Sequence, residues 1–529
     1  MTLDPITGTL LVGGGVALAN ALRVSWLERR RGGFGVEPDR RRRRECDAVV
    51  AAFLNSYGFA AREVASAAEV RGWIADGITP ERLRRVLSDR VGRIRGLLLG
   101  HHPGPDGAIP VRLPQPLRAR HIYCVGRTGS GKTTLLRNFA LQAMTAGEGL
   151  AVVAPEAELV HEELLPFIPE SRHGDVVVVD PTDIRHPVSF NPLHLAPGED
   201  LDLKSAELMS VFERLCQEGT AGAPRMETIL RQALYSLLPI DGTTLLDLEK
   251  LLDRQDDTYR RWVIGQTGDE DARNFWSRVY LGYPKDAHLS LLNRLGRFLR
   301  PRTVRTLLCS SGTSLDVRRL MDDGKILLFS LSDGLLGEEN AELLGQLVVA
   351  KIQLAAMSRA DVPPEQRRFF TLIADEFQRF AKGAATSYEQ MLSRARKYGV
   401  GLVLAHQQTG QIPEQLMRGI LGNVGTVVVF QVGASDARRL SRELVGEVNG
   451  EPLALEPREL LSLRVGEAVC RVGRNVFRLA APPPLIGGSA PTRQRVLELS
   501  RRQFTIAAPA PQATPPAAET TAEDPGAVF

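Results

Sequence analysis

From residue 121 onward, short unbroken apolar runs punctuate the chain: HIYCV (121–125), LAVVAP (150–155), DVVVVD (175–180), KILLFSL (325–331), RFFTLIADE (368–376), GVGLVLA (399–405), GTVVVFQV (425–432) and EAVCRV (467–472). Unbroken runs, rather than alternation of apolar and polar positions, mark strands buried on both faces. Helical segments separate them, so the order predicts an α/β fold: a mainly parallel sheet with helices on both faces. Between 200 and 320 the period changes. Met226, Ile229, Leu230, Ala233, Leu234 and Leu237 recur on one helical face, and Leu291, Leu295, Phe298 and Leu299 repeat the pattern. No strand run of comparable strength interrupts them, which predicts an all-helical domain inserted into the α/β core. Residues 45–100 also keep helical spacing and predict a small helical module, closed by HHPGPDG, after which IPVRLPQPL leads into the first core strand.

The ends differ from the body. Residues 33–44 (GGFGVEPDRRRRR from Gly32) read as a polar linker, and the Pro- and Ala-rich tail from 507 reads as disordered. Between Asp4 and Arg23 lie 18 uncharged residues, followed closely by Trp26 and an arginine cluster. A membrane span needs roughly 20 predominantly apolar residues, so this stretch is short for one, and Gly13–Gly15 and Asn20 weaken it. Trp26 and the positive flank strengthen it. The charge follows the apolar stretch, whereas a secretory signal places it before. Two readings stand: a single membrane anchor with the body in the cytosol, or a glycine-rich apolar helix packed on protein. The expected organisation is a membrane anchor with basic flank (1–32), linker and helical module (33–100), first core part (101–199), helical insertion (200–320), second core part (321–485), and C-terminal helix with tail (486–529).

Composition narrows this picture only at its edges. The chain has 529 residues, 43% apolar and 24% charged, as a multidomain globular protein should. Nine arginines fall within residues 1–44 against four acidic residues, so the net charge of +4 is concentrated there and the rest is nearly neutral. A basic surface for nucleic acid on the body must therefore be local. Cys46, Cys124, Cys216, Cys309 and Cys470 lie far apart without CxxC spacing, which points to a reduced cytosolic interior, no disulfide framework and no zinc site.

Chemistry enters at Gly126-Arg127-Thr128-Gly129-Ser130-Gly131-Lys132-Thr133, a complete GxxxxGK[ST] pattern continued by Thr134. An apolar run precedes it and LLRNFALQAM follows, so a strand feeds a loop whose N–H groups, with the helix N-terminus, can hold nucleotide phosphates. Farther on, Phe370 and Leu372-Ile373-Ala374 run into Asp375-Glu376, a buried strand delivering two carboxylates. Asp375 suits Mg²⁺ opposite Thr133, and Glu376 suits orienting and polarising the attacking water. SRARKYGVGLVLAHQQ (393–408) places Arg396 before a strand and Gln407 after it. Arg396 is either a cation of a solvated cluster with Arg394 and Lys397 or a group that neutralises transition-state charge. Gln407 is either a strand-end cap or a contact to the γ-phosphate or water. His406 lacks a carboxylate partner and reads as structural filling.

Taken together, HIYCVGRTGSGKTTLLRN, DVVVVDPTDIRHPVSFNPL, LLNRLGRFL, the segment from LDVRRL to VVAKIQ, ADEFQRF, LSRARKYGVGLVLAHQQ and ILGNVGTVVVFQVGASDA resemble the HerA/FtsK superfamily of hexameric DNA-pumping ATPases. Within it the chain resembles most the conjugative coupling proteins of the TraD/TraG type and relatives with a TraM-recognition or type IV secretion DNA-binding domain. The resemblance spans about residues 120–440. It implies a RecA-like P-loop NTPase core, ATP and Mg²⁺ as cofactors, Lys132 and Thr133 on phosphate and metal, Asp375 and Glu376 on metal and water, Arg396 on a γ-phosphate and Gln407 as a sensor. It also implies DNA as partner, single- or double-stranded, a homo-hexamer, relaxase or secretion-channel proteins, and the inner membrane, with a cytoplasmic location as the alternative. One departure matters: where relatives place an acidic residue after the second strand, this chain has Ala154-Pro155-Glu156-Ala157-Glu158, and Glu158 is the stand-in. Two other readings remain: a membrane-tethered ATP-dependent switch that recruits protein cargo, and a DNA-processing translocase unconnected to conjugation.

Overall fold

The computed structural model describes residues 37–506 apart from 58–64, 93–95, 105–106, 196–198, 203, 207, 210–211, 213–222, 285–287, 312, 445, 449–450, 454 and 474. Residues 5–22, expected as an anchor, the tail from 507, expected to be disordered, and Cys216 lie outside the described residues. Two compact units emerge: the first takes the chain up to Val176, Arg318–Phe329 and Ala355–Val496, and the second takes Val177–Val317, Ser330–Leu354 and the chain from Leu497.

In the first unit, helices Glu37–Tyr57, Ala67–Ala75 and Pro80–Gly92 bury Cys46, Val49, Val50, Val70, Ile74, Leu83 and Leu87 together. The arginine run is therefore helical rather than the linker expected. Asp39 pairs with both Arg42 and Arg43, three and four residues along, so part of the run's repulsion is neutralised on one helix face. A second difference follows. The helical spacing reads through Leu97–Gly100, but β1 (Leu97–Gly104) and β2 (Gly107–Leu113) form an antiparallel hairpin. Tertiary contact decides it: a Cβ at Gly100 would lie 2.4 Å from the Ala480 carbonyl oxygen, so glycine lets this strand close on its neighbour.

The remaining strands are β3 (Ile122–Val125), β4 (Gly149–Ala154), β5 (Val176–Val179), β6 (Ile326–Ser330), β7 (Phe370–Ala374), β8 (Val400–His406), β9 (Thr426–Val429), β10 (Gly446–Val448), β11 (Glu451–Leu453), β12 (Glu467–Val472) and β13 (Asn475–Ala480). Each apolar run named above contributes one. Their order through the first unit is β11-β10-β13-β12-β9-β3-β8-β7-β4-β6. β9, β3, β8, β7 and β4 are parallel, and their carboxyl ends share one edge. β12 pairs antiparallel with β9 and β13, which makes the sheet mixed though its centre is parallel. The helix Lys132–Thr145 buries Leu135, Leu136, Phe139, Ala140, Ala143 and Met144. Gln142 clamps it to β1 by accepting from the Leu98 N–H at 2.7 Å and donating to the Leu98 carbonyl at 3.0 Å.

The second unit contains the helices Ala223–Leu237, Leu245–Leu252, Thr258–Gln266, Leu289–Leu299 and Arg302–Leu308. The apolar faces read from the sequence at 226–237 and 291–299 are buried. Its centre is aromatic: Trp276 donates to Ser236 Oγ at 2.8 Å and Tyr280 to the Leu252 carbonyl at 2.8 Å, so each buried ring keeps a polar partner. Among the described residues, the one helical stretch long and apolar enough to cross a membrane is Glu338–Asp361, and 72% of its apolar window is buried within protein.

Candidate active site

β3 ends at Val125, and the chain turns through residues 126–131 into the helix Lys132–Thr145. Glycine makes that turn possible: φ is +74° at Gly129 and +111° at Gly131, a region closed to most side chains. At Gly126 the limit is space, since an added Cβ would lie 2.6 Å from Phe430 Cβ and 2.7 Å from Ser130 Oγ. Ser130 Oγ donates to the Arg127 carbonyl at 2.7 Å. The Arg127 N–H donates to the Gln431 carbonyl at 2.8 Å and the Gly126 N–H to the His406 carbonyl at 3.3 Å, which ties the loop to the strands on either side. Arg127, Thr128, Gly129 and Thr133 are exposed, Thr134 is half-buried, and Ser130 and Lys132 are buried.

The carboxylates arrive from β7, separated from β3 only by β8. Asp375 and Glu376 are 7% and 6% exposed, and Glu376 Oε1 lies 3.7 Å from the Lys132 ammonium. Glu376 has φ of +43°, a conformation a non-glycine residue adopts only under constraint. The constraint is visible: its N–H donates to Asp375 Oδ1 at 2.9 Å, and the next N–H, of Phe377, donates to the Ala405 carbonyl at 3.1 Å. Gln407, at the end of β8, donates to Glu376 Oε1 at 2.8 Å, and Gln378 donates to Oε2 at 2.5 Å. Cradle, carboxylates and Gln407 thus converge at one sheet edge.

Electrostatics follow the burial. Desolvation, and then the Glu376 charge, push the Asp375 carboxyl up to about 6 against the pull of Lys132, with Glu156 adding to the rise. Thr133 and Asp375 are hard oxygen ligands of the kind Mg²⁺ takes alongside phosphate oxygens and water, and the cradle suits phosphates. The residues present therefore fit a magnesium nucleotide. Among the described residues, no three His, Cys, Asp or Glu side chains converge on a further metal position. His406 is fully buried, hydrogen-bonded to the Tyr123 hydroxyl, and burial pushes it down to about 3, so it is neutral filling.

Arg396 is not brought to this edge. It precedes β8, so it sits at the opposite end of the parallel strands from the cradle, and it is exposed. Its charge bears instead on His121 and Arg120, which immediately precede β3. Of the glutamates after β4, Glu156 adds to the rise at Asp375. Gln378 carries no motif signal in the sequence beyond being an amide two residues after the carboxylate pair.

With this geometry in place, comparison with protein families matches residues 325–452 to the type IV secretion-system coupling protein DNA-binding domain. That segment carries Asp375, Glu376, Arg396 and Gln407. No curated protein sequence matches the chain. Among solved structures, the chain is similar to the bacterial conjugative coupling protein TrwBdeltaN70 in its unbound form, at 17% identity over 77% of this chain and 93% of that one, with a TM-score of 0.55. It is similar to the plasmid coupling protein TrwB in complex with the non-hydrolysable GTP analogue GDPNP, at 18% identity over 77% and 94%, with a TM-score of 0.56. It is also similar to TrwB in complex with ADP and Mg²⁺, at 19% identity over 72% and 90%, with a TM-score of 0.55. Identities this low establish the fold: a RecA-like P-loop core with a mixed, mainly parallel sheet. The resemblance to coupling proteins read from the motifs holds.

Proposed function

We propose that this chain is an ATP-hydrolysing DNA translocase that works as a hexameric ring and serves as a coupling protein in conjugation or type IV secretion. The observation that carries the reading is the convergence of Lys132, Glu376 and Gln407 within hydrogen-bond or ion-pair reach at the carboxyl edge of β3, β7 and β8. Lys132 and the N–H groups of Gly129–Thr133 bind the β- and γ-phosphates. Thr133 and Asp375 hold Mg²⁺, which when bound screens phosphate charge as the terminal bond breaks. Glu376 orients and polarises water, and Gln407 holds Glu376 in place.

A ring is supported by the position of Arg396. An arginine at the opposite end of the strands can reach a phosphate only across a subunit boundary, the arrangement a ring provides. DNA contact is electrostatic and tolerant of sequence, hence salt-dependent. Relaxase or secretion-channel proteins are the partners, and residues 5–22 tether the chain to the inner membrane with its body in the cytoplasm. The test is steady-state ATPase turnover of the full chain, titrated with single- and double-stranded DNA at two salt concentrations. Stimulation that weakens at high salt supports the motor. Slow turnover indifferent to DNA overturns it in favour of a nucleotide switch.

A further inference from the structure

Gln378 opens the helix Gln378–Arg394, and its side chain reaches the carboxylate that Gln407 also reaches. The two amides grip different oxygens of one carboxylate: Gln407 Nε2 donates to Glu376 Oε1 at 2.8 Å, and Gln378 Nε2 donates to Oε2 at 2.5 Å. An ionised carboxylate only accepts, so the Gln378 amide is held with its nitrogen toward Glu376. That leaves Gln378 Oε1 directed away, and it is buried with no donor among the described residues. A buried acceptor without a partner is unfavourable and demands an account. It stands one amide away from the carboxylate that polarises water, where a water molecule is the donor the reaction brings.

We infer that Gln378 is a positioning residue for the attacking water: its Oε1 accepts one water proton while the other proton faces Glu376. The inference rests on the hydrolytic reading of Glu376. As the water oxygen bonds to the γ-phosphorus, the bond from that phosphorus to the bridging oxygen breaks. The proton facing Glu376 passes to the carboxylate and then to solvent, and the other leaves on inorganic phosphate. Gln378 gains and loses nothing; it sets the direction in which the water's lone pair points. Orientation of this kind is a large part of what an enforced geometry contributes to rate.

The experiment compares Gln378→Ala, Gln378→Glu and Glu376→Gln in the full chain by ATPase kinetics, with binding of a fluorescent ATP analogue and thermal melting alongside. Gln378→Ala is expected to lower kcat about 10- to 100-fold, with KM, analogue binding and melting temperature held, since orientation acts on the chemical step. Gln378→Glu sets a second carboxylate against Glu376, so its kcat is expected to be low at neutral pH and to recover toward acid pH, where the new carboxyl regains a donor. A purely structural role would lower binding and melting temperature together with kcat, whereas positioning of the water lowers kcat alone. Unchanged kcat in Gln378→Ala overturns the inference, and so does a loss shared equally by kcat, binding and melting. Glu376→Gln separates the two levels. If it retains turnover, the hydrolytic reading itself fails; if it is inactive while Gln378→Ala is normal, only the role of Gln378 falls.

Discussion

The Gln407 amide nitrogen lies 2.8 Å from Glu376 Oε1, so the tip of β8 braces the carboxylate delivered by the tip of its neighbour β7. The contact joins the two strand ends, which makes Gln407 a holder of Glu376. Removing it frees a carboxylate whose backbone is already constrained at φ of +43°.

Gln407→Ala is therefore expected to lower kcat by about 10- to 100-fold while nucleotide affinity stays within about twofold, as for loss of a group that orients the reacting water. Pre-steady-state turnover beside analogue titration checks this. A rise in KM with kcat preserved would mean that Gln407 only binds ground-state phosphate.

Lys132 and Glu376 are buried 3.7 Å apart, and each removal acts differently. Glu376→Gln keeps the hydrogen-bonding shape but cannot take a proton, so the variant should bind ATP and hold it unhydrolysed. Lys132→Ala leaves Glu376 buried without its cation, so it should lose nucleotide binding and also about 3–5 kcal/mol of stability, because an uncompensated buried charge remains. Glu376→Gln leaves the Lys132 ammonium without its anion and should lose stability as well, while keeping nucleotide binding. Denaturant titration of both variants checks this, and wild-type stability in Lys132→Ala would contradict the pairing.

Arg396 can be tested by mixing subunits. Arg396→Ala and Lys132→Ala chains are each expected to be inactive alone. Mixed rings should regain turnover, since the first supplies an intact cradle to the arginine of the second. An arginine acting on its own subunit's nucleotide allows no recovery at any mixing ratio.

His121 predicts acid sensitivity. Its Nε2 faces the Leu392 carbonyl at 3.2 Å and its Nδ1 accepts from the Leu402 N–H at 3.1 Å, so the ring is neutral and bonded on both sides. Burial, with the charge of Arg396 adding to it, pushes the ring from 6.5 down to about 4. Below pH 6.5 the unfolded chain takes up a proton that the folded chain refuses, so stability is lost as pH falls from 6.5 to about 4. At about 1.4 kcal/mol for each pH unit across that window, the loss amounts to about 3 kcal/mol. His121→Asn suits the positive φ of 64° and should flatten the decline, measured as unfolding midpoints at pH 7 and pH 5. Parallel slopes in the two proteins would assign the acid sensitivity to other groups.

The legible parts of this molecule are those in which neighbouring residues act on each other. The octet 126–133 requires glycine where φ is positive at Gly129 and Gly131, and that demand is written into consecutive positions. The runs that became β3, β4, β7 and β8 are almost wholly apolar because both faces are covered. The arginine run misled because charge density suggested a linker, while Asp39 placed one helical turn from Arg42 and Arg43 made it a helix face. Leu97–Gly100 misled for another reason: the pairing of His101 with Ala480 is remote in sequence and outweighs a local period.

By itself, then, the order of residues determined a nucleotide cradle, a carboxylate pair at a strand end, and the α/β class that can bring them together. The neighbours of those groups were decided only when the chain closed. Strand adjacency set Gln407 on Oε1 of Glu376, while Gln378 reaches Oε2 from only two residues along, and strand direction sent Arg396 to the far end from the cradle. The reason is that hydrophobic period and turn chemistry act over a few residues, whereas a hydrogen bond between β7 and β8 exists only once the sheet has chosen its order.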